Sequence, residues 1–300
     1  MKLSTDRILT THVGSLPRSP ELSAPLLQKD HGEAYDSATL ARAVHDGVIA
    51  IVRRQVATGI DIVSDGETGK VGYSTYIHER LTGFSGQNAN KPNLDVAPYP
   101  EFRRRIALMT GTPSFTRMLC TGPVELKDRE AVLIDIVNMK AAMEAAQPVD
   151  GFIPAASPGV VSSFQPNQHY PTHRAYIEAV GAAMKPEYDA IAGAGIVLQL
   201  DCPDLAMSRH TGFQDLTEAE FLARAEQQVE VLNHAVRDIP ADRMRLHLCW
   251  GNYEGPHDHD IDVAKIIPIA MKAKPQAISF EAANPRHGHE WAVWREHKAK

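Results

Sequence analysis

The run Gly195-Ile196-Val197-Leu198-Gln199-Leu200-Asp201 constrains the fold of this chain more than any other stretch. It is short, almost continuously apolar, and bounded by a glycine on one side and Cys202-Pro203 on the other. A strand of that kind is buried on both faces, as in parallel sheets whose crossovers are helices. The pattern recurs. Strands are expected over 8–13, 60–64, 115–120, 151–155, 195–201, 245–249 and 277–281. Helices are expected between them, over 39–58, 128–146, 172–192, 217–236 and 262–272. In the first helix Leu40, Val44, Val48, Ile51 and Val52 fall on one stripe. The fourth opens with Thr217-Glu218-Ala219-Glu220, a capping-box signature. Residues 84–100, rich in Gly, Asn and Pro, read as an irregular excursion.

Seven strands alternating with helices over 300 residues point to an α/β fold, a single (β/α)8 TIM-type barrel occupying 1–300. A doubly wound open sheet is the second architecture. No Gly-x-Gly-x-x-Gly follows the first strand, which argues against a dinucleotide site. A net charge of −6 and a pI near 6.2 give no reason to expect nucleic acid or an anionic membrane as partner. No run reaches the roughly 18 apolar residues of a membrane span. Three scattered cysteines, Cys120, Cys202 and Cys249, suit a reducing cytoplasm better than a disulfide framework.

In a barrel of this type catalytic groups sit where strands run into the following loops. Ser15 follows the first strand, Glu67 the second and Asp201 the fifth; His247 and Cys249 end the sixth and Glu281 the seventh. In a strand, residues two apart share a face, so His247 and Cys249 point the same way, an imidazole beside a potential thiolate, both good zinc ligands. Glu281, 34 residues beyond His247, could add a carboxylate from the neighbouring strand. Asp201 and Glu67 are left to grip an amine or another cationic group. Each has a plainer reading: Asp201 as a turn or cap, Glu67 as a loop charge, Ser15 as part of a glycine turn, Cys202 as packing. The clusters His257-Asp258-His259-Asp260 and His287-Gly288-His289 read as polar loops.

Five segments carry a family pattern in this order: Thr11-His12-Val13-Gly14-Ser15-Leu16-Pro17-Arg18, Asp65-Gly66-Glu67, Leu198-Gln199-Leu200-Asp201, His247-Leu248-Cys249 and Ile278-Ser279-Phe280-Glu281. Together they resemble the cobalamin-independent methionine synthase family, specifically its C-terminal catalytic barrel and the single-barrel relatives of that domain. The resemblance covers essentially the whole chain. It implies a (β/α)8 barrel, Zn2+ held by His247, Cys249 and Glu281, and an amino-acid thiol gripped by Ser15, Glu67 and Asp201. It also implies transfer of a methyl or other alkyl group from a small-molecule donor to a thiol, with homocysteine S-methylation the simplest case. Zinc coordination would deprotonate a thiol that is otherwise only a few per cent thiolate at neutral pH.

The chain departs from the pattern at its end. In the family a last zinc cysteine and a proton-donating histidine lie downstream of the glutamate, whereas here Cys249 is the last cysteine and the chain stops at Lys300. Seven strands where a closed barrel needs eight agree with a missing terminal βα unit; a three-ligand catalytic zinc is the other way to read it. Two further functions fit the same residues: a metal-dependent barrel hydrolase using zinc-bound water, and an inactive or binding relative on the same scaffold.

Overall fold

The structure, a computed structural model, describes residues 1–88, 92–110, 118–251, 255–283 and 285–297. Its strands are β1 (Ile62–Ser64), β2 (Phe84–Ser85), β3 (Leu119–Cys120), β4 (Asp150–Ala156), β5 (Val197–Asp201), β6 (Met244–Leu248) and β7 (Ala277–Phe280). Its helices are α1 (Pro20–Asp30), α2 (Ser37–Ala57), α3 (Ile77–Arg80), α4 (Pro100–Thr110), α5 (Glu130–Ala146), α6 (Pro158–Phe164), α7 (His173–Gly193), α8 (Glu218–Ala235) and α9 (Val263–Ala270). Five strands form one parallel sheet in the order β1-β4-β5-β6-β7. The sequence-based β5 is there and wholly buried, because side chains on both of its faces are apolar and have helices or barrel interior to meet.

The helices expected over 39–58, 128–146, 172–192 and 217–236 form as α2, α5, α7 and α8. Thr217 and Glu220 make both halves of the capping box, the threonine hydroxyl accepting from the Glu220 amide and the glutamate accepting from the Thr217 amide. Helices α1, α3, α4 and α6 lie outside the expected helices. Helix α6 is only seven residues long and buried throughout most of its length, so it has no polar face to betray a helical period; Ser157 caps it and Pro158 opens it.

Two expected strands are not members of the sheet. Segment 8–13 touches it through one parallel bridge, Thr11 to Ile62. The Thr10 carbonyl accepts from the Asp61 and Ile62 amides, but the Thr10 amide donates to the Asp61 carboxylate at 2.8 Å rather than to a ladder partner, and Ile8 is 84% exposed. Of 115–120, residues 115–117 lie outside the described residues, and Leu119–Cys120 pairs antiparallel with β2 in a separate two-stranded sheet.

The five-stranded sheet curves into a half-barrel. Arg245 of β6 crosses the concave side to within 3.4 Å of the Thr11 hydroxyl beyond β1, lying over the Phe152 ring of β4 at 3.6 Å on the way. Two strands, β4 and β5, separate β1 from β6, so a flat sheet could not make that contact. One large apolar cluster lies between the sheet and its helices, with Val63, Ile153, Leu198, Leu200 and Leu246 at its centre. Among the described residues no helix is long and apolar enough to cross a membrane.

Candidate active site

The end of β1 runs into a turn, Asp65-Gly66-Glu67-Thr68, in which two successive residues are left-handed, Gly66 at φ +63° and Glu67 at φ +55°. Glycine takes that conformation freely, but a glutamate there costs on the order of 1 kcal/mol or more. The strain is held by neighbours. Arg18 donates to the carbonyls of Glu67 at 2.6 Å and Lys70 at 2.7 Å, and the Asp65 carboxylate accepts the Glu67 amide at 3.0 Å. The result is a buried carboxylate aimed at the exposed Ser15, whose hydroxyl donates to Glu67 Oε2 at 2.6 Å. Burial, and behind it the charge of Asp201, pushes the Glu67 carboxyl up to about 7; the Ser15 hydrogen bond works the other way.

Strands β5 and β6 supply the other half. Their register sets Asp201 opposite His247, and His247 Nδ1 lies 3.1 Å from Asp201 Oδ1. The same Asp201 oxygen accepts from Gln199 Nε2 at 2.7 Å, while Gln199 Oε1 accepts from Arg245 Nε at 2.8 Å. A polar chain therefore runs along the floor of the half-barrel from Arg245 to His247. His247 also hydrogen-bonds the Cys249 side chain. Burial disfavours the charged imidazole, but its hydrogen bonds to Asp201 and Cys249 outweigh that and raise His247 to about 10. After Cys249 the chain turns at Gly251, φ +109°, which points its amide back at the Cys249 sulfur at 3.1 Å. A side-chain-bearing residue would be strained in that turn.

Ser15 thus meets Glu67 past the end of β1, and Asp201 meets His247, with Cys249 two residues on, at the ends of the neighbouring β5 and β6; the charge of Asp201 is felt at Glu67 across β4. Glu281 is half-buried just past β7. Because His247 pairs with Ser279 and Leu248 with Phe280, continuing the register by one residue sets Glu281 opposite Cys249. Among the described residues, however, the groups whose ligand atoms all lie within 4.8 Å of one another are found elsewhere: His257, Asp260 and His287, and Asp95, His210 and Asp260. The stretches read as polar loops converge there, with the side chains of His257, Asp260 and His287 turned inward while Asp258, His259 and His289 stay exposed. A signal was present in the sequence, His257 to Asp260 and His287 to Glu290 both being three residues apart, and each pair is hydrogen-bonded at 2.8 Å. Cys202 follows its plainer reading: it is buried in the core, and burial raises its thiol well above the ordinary range.

His247 and Cys249 are chemically suited to zinc. A nitrogen and a sulfur donor on one strand face are backed by Asp201 on the histidine's other side, the arrangement that fixes a metal-binding imidazole.

No family model matches the chain. Among curated proteins it is similar to the methionine synthase of Sulfolobus acidocaldarius, 23% identical over 266 residues, which covers 88% of this chain and 68% of that protein. The methionine synthase of Saccharolobus solfataricus is 24% identical over 260 residues, covering 86% and 68%. Among solved structures it is similar to a B12-independent methionine synthase from Shewanella sp. W3-18-1 in complex with selenomethionine, with a TM-score of 0.63, 17% identity, and coverage of 90% of this chain and 72% of that one. A putative vitamin-B12 independent methionine synthase from Listeria monocytogenes gives a TM-score of 0.55 at 18% identity, covering 82% and 68%.

Proposed function

On the premise that the chain is a relative of the B12-independent methionine synthases, we propose that it transfers a methyl or other alkyl group to the sulfur of a small amino-acid thiol such as homocysteine. The observation that carries the proposal is the meeting of two anionic positions, Glu67 and Asp201, with the His247–Cys249 pair. A zwitterionic thiol offers an ammonium group for the first and a sulfur for the second. Glu67, oriented by Ser15, binds the ammonium. Asp201 holds His247 by Nδ1 and adds negative charge for the amine. His247, Cys249 and Glu281 would hold Zn2+, which deprotonates a thiol when bound. The Gly251 amide stabilises negative charge on the Cys249 sulfur. Closure of the half-barrel into eight strands and a cytoplasmic setting belong to the same reading.

The test is the zinc content of the purified chain beside His247→Ala and Cys249→Ser. One equivalent per chain should disappear in each variant. Thiol-dependent alkyl transfer should fall about thirtyfold or more, the cost of returning a thiol of pKa near 8.5 to its own thiolate fraction at neutral pH. Zinc content unchanged in both variants would sink the proposal.

A further inference from the structure

Behind the end of β6, three imidazoles converge on one carboxylate. His257 Nδ1 lies 2.8 Å from Asp260 Oδ2 and His287 Nε2 lies 3.1 Å from the same oxygen, while His210 Nε2 is 3.3 Å from Oδ1. The side chains of His210 and Asp95 are fully buried, and those of His257, Asp260, His287 and Glu290 are each less than one-tenth exposed. The site proposed above uses none of them.

The other nitrogens explain why a cation is called for. His287 Nδ1 is 2.8 Å from Glu290 Oε2, and His210 Nδ1 is 2.8 Å from Asp95 Oδ2. A neutral imidazole has one N–H. If His287 donates it to Glu290, its Nε2 lone pair faces Asp260 Oδ2, acceptor against acceptor, whereas His210 Nε2 also has the Trp250 carbonyl at 3.2 Å to receive an N–H. In a buried setting the arrangement at His287 is repulsive, so positive charge must lie between the two acceptors. An extra proton could supply it, at the cost of a buried imidazolium ring. A single divalent ion supplies it at one point and uses the same lone pairs as ligands. A histidine whose Nδ1–H is held by a carboxylate and whose Nε2 is turned inward is the usual preparation for binding a metal.

We propose that His257, Asp260 and His287, with His210 beside them, form a second divalent-metal site, separate from the His247–Cys249 pair. Two imidazoles and a carboxylate without sulfur select a first-row transition ion such as Zn2+, Fe2+ or Co2+ over Mg2+ or Ca2+. Such an ion ties the loop after β6 to the segment after β7. It also braces Trp250, whose ring packs on His287 with centroids 4.7 Å apart. Trp250 directly follows Cys249, so the ion would steady the end of the strand that carries the proposed thiolate ligand.

Co2+ distinguishes the two sites, because a cysteine-bound ion gives an intense sulfur-to-metal absorption and a His/Asp-bound ion gives only weak d–d bands. The full chain, Cys249→Ser, His287→Gln and the nearly isosteric Asp260→Asn are loaded with excess Co2+ and desalted. Cys249→Ser should keep one equivalent with d–d bands and no sulfur band. His287→Gln and Asp260→Asn should lose that equivalent while their circular dichroism stays that of the parent chain. A folded Cys249→Ser chain that retains no Co2+ would overturn the proposal and leave the cluster a hydrogen-bonded clamp. Retention undiminished in both His287→Gln and Asp260→Asn would overturn it equally. Loss of the sulfur band bears on the His247–Cys249 site alone, so the two readings fail separately.

Discussion

Glu67→Gln is expected to lower kcat/KM for an amine-bearing thiol by about 30- to 1000-fold without unfolding the chain. The buried carboxylate supplies a charge-assisted hydrogen bond to the acceptor's ammonium, and replacing it leaves that cation against a neutral amide. Losses of this kind are about 2–4 kcal/mol, which gives the range stated. Glutamine keeps the shape, accepts from the Ser15 hydroxyl as glutamate does, and leaves the Arg18 contacts to the backbone of the turn intact. The pH profile should change with it. With its carboxyl pushed up to about 7, Glu67 is largely protonated at pH 6 and largely ionised at pH 8, so capture of the cationic acceptor by the parent chain should rise across that interval. In Glu67→Gln that limb should be absent. The same measurement on a thiol lacking the amino group provides the control, since neither its kcat/KM nor its pH profile should depend on Glu67. If the two thiols respond alike to the substitution, Glu67 does not bind the amine.

The sequence and the structure agree where burial decides the pattern. Strand β5 and the helices α2, α5, α7 and α8 are long or uniformly apolar enough for periodicity to show them. The parallel register that places Asp201 against His247 follows from ending two neighbouring strands at polar residues. Agreement fails where a side chain replaces a ladder bond, as Asp61 does for the backbone of Thr10, because β-propensity does not register a competing hydrogen bond. It fails again at loops. His257, Asp260 and His287 are ordinary polar loop residues one at a time, and only the convergence of two strand-to-helix connections buries them together. Glu281 shows the opposite limit. Its strand position is as expected, yet a shared strand face does not by itself bring its carboxylate into the cluster distance of His247 and Cys249.

Asp204 should make the chain less stable as the pH rises, and Asp204→Asn should remove much of that dependence. The residue sits in the turn after β5, 1% exposed, with Ser157 donating to Oδ1 at 2.7 Å. Burial raises its carboxyl to about 7, against about 3.9 for an unfolded aspartate. A group whose pKa is raised on folding contributes its stability in full below the unfolded value and loses it as the pH climbs through the folded one. The loss therefore accumulates between about pH 4 and pH 7, and three units correspond to on the order of 4 kcal/mol. Asparagine keeps the acceptor for Ser157 and never ionises. The denaturation midpoints of parent and Asp204→Asn should accordingly be close at pH 4 and separate by pH 8, with the variant the more stable; parallel curves would show that Asp204 is not the group titrating. The space around this carboxylate is already filled. A Cβ at Gly159 of α6 would stand 1.9 Å from Asp204 Oδ2 and 2.6 Å from its Cγ, and both groups are buried between helix and sheet. Gly159→Ala must displace one of them, either breaking the Ser157 hydrogen bond or shifting α6. Overpacking of about 1–3 kcal/mol and an unmade buried hydrogen bond of about 1–3 kcal/mol together predict a loss of about 2–6 kcal/mol, read as a fall in the urea midpoint. Because the clash is with the side chain, the double variant Gly159→Ala with Asp204→Ala should lose less than the sum of its two single variants.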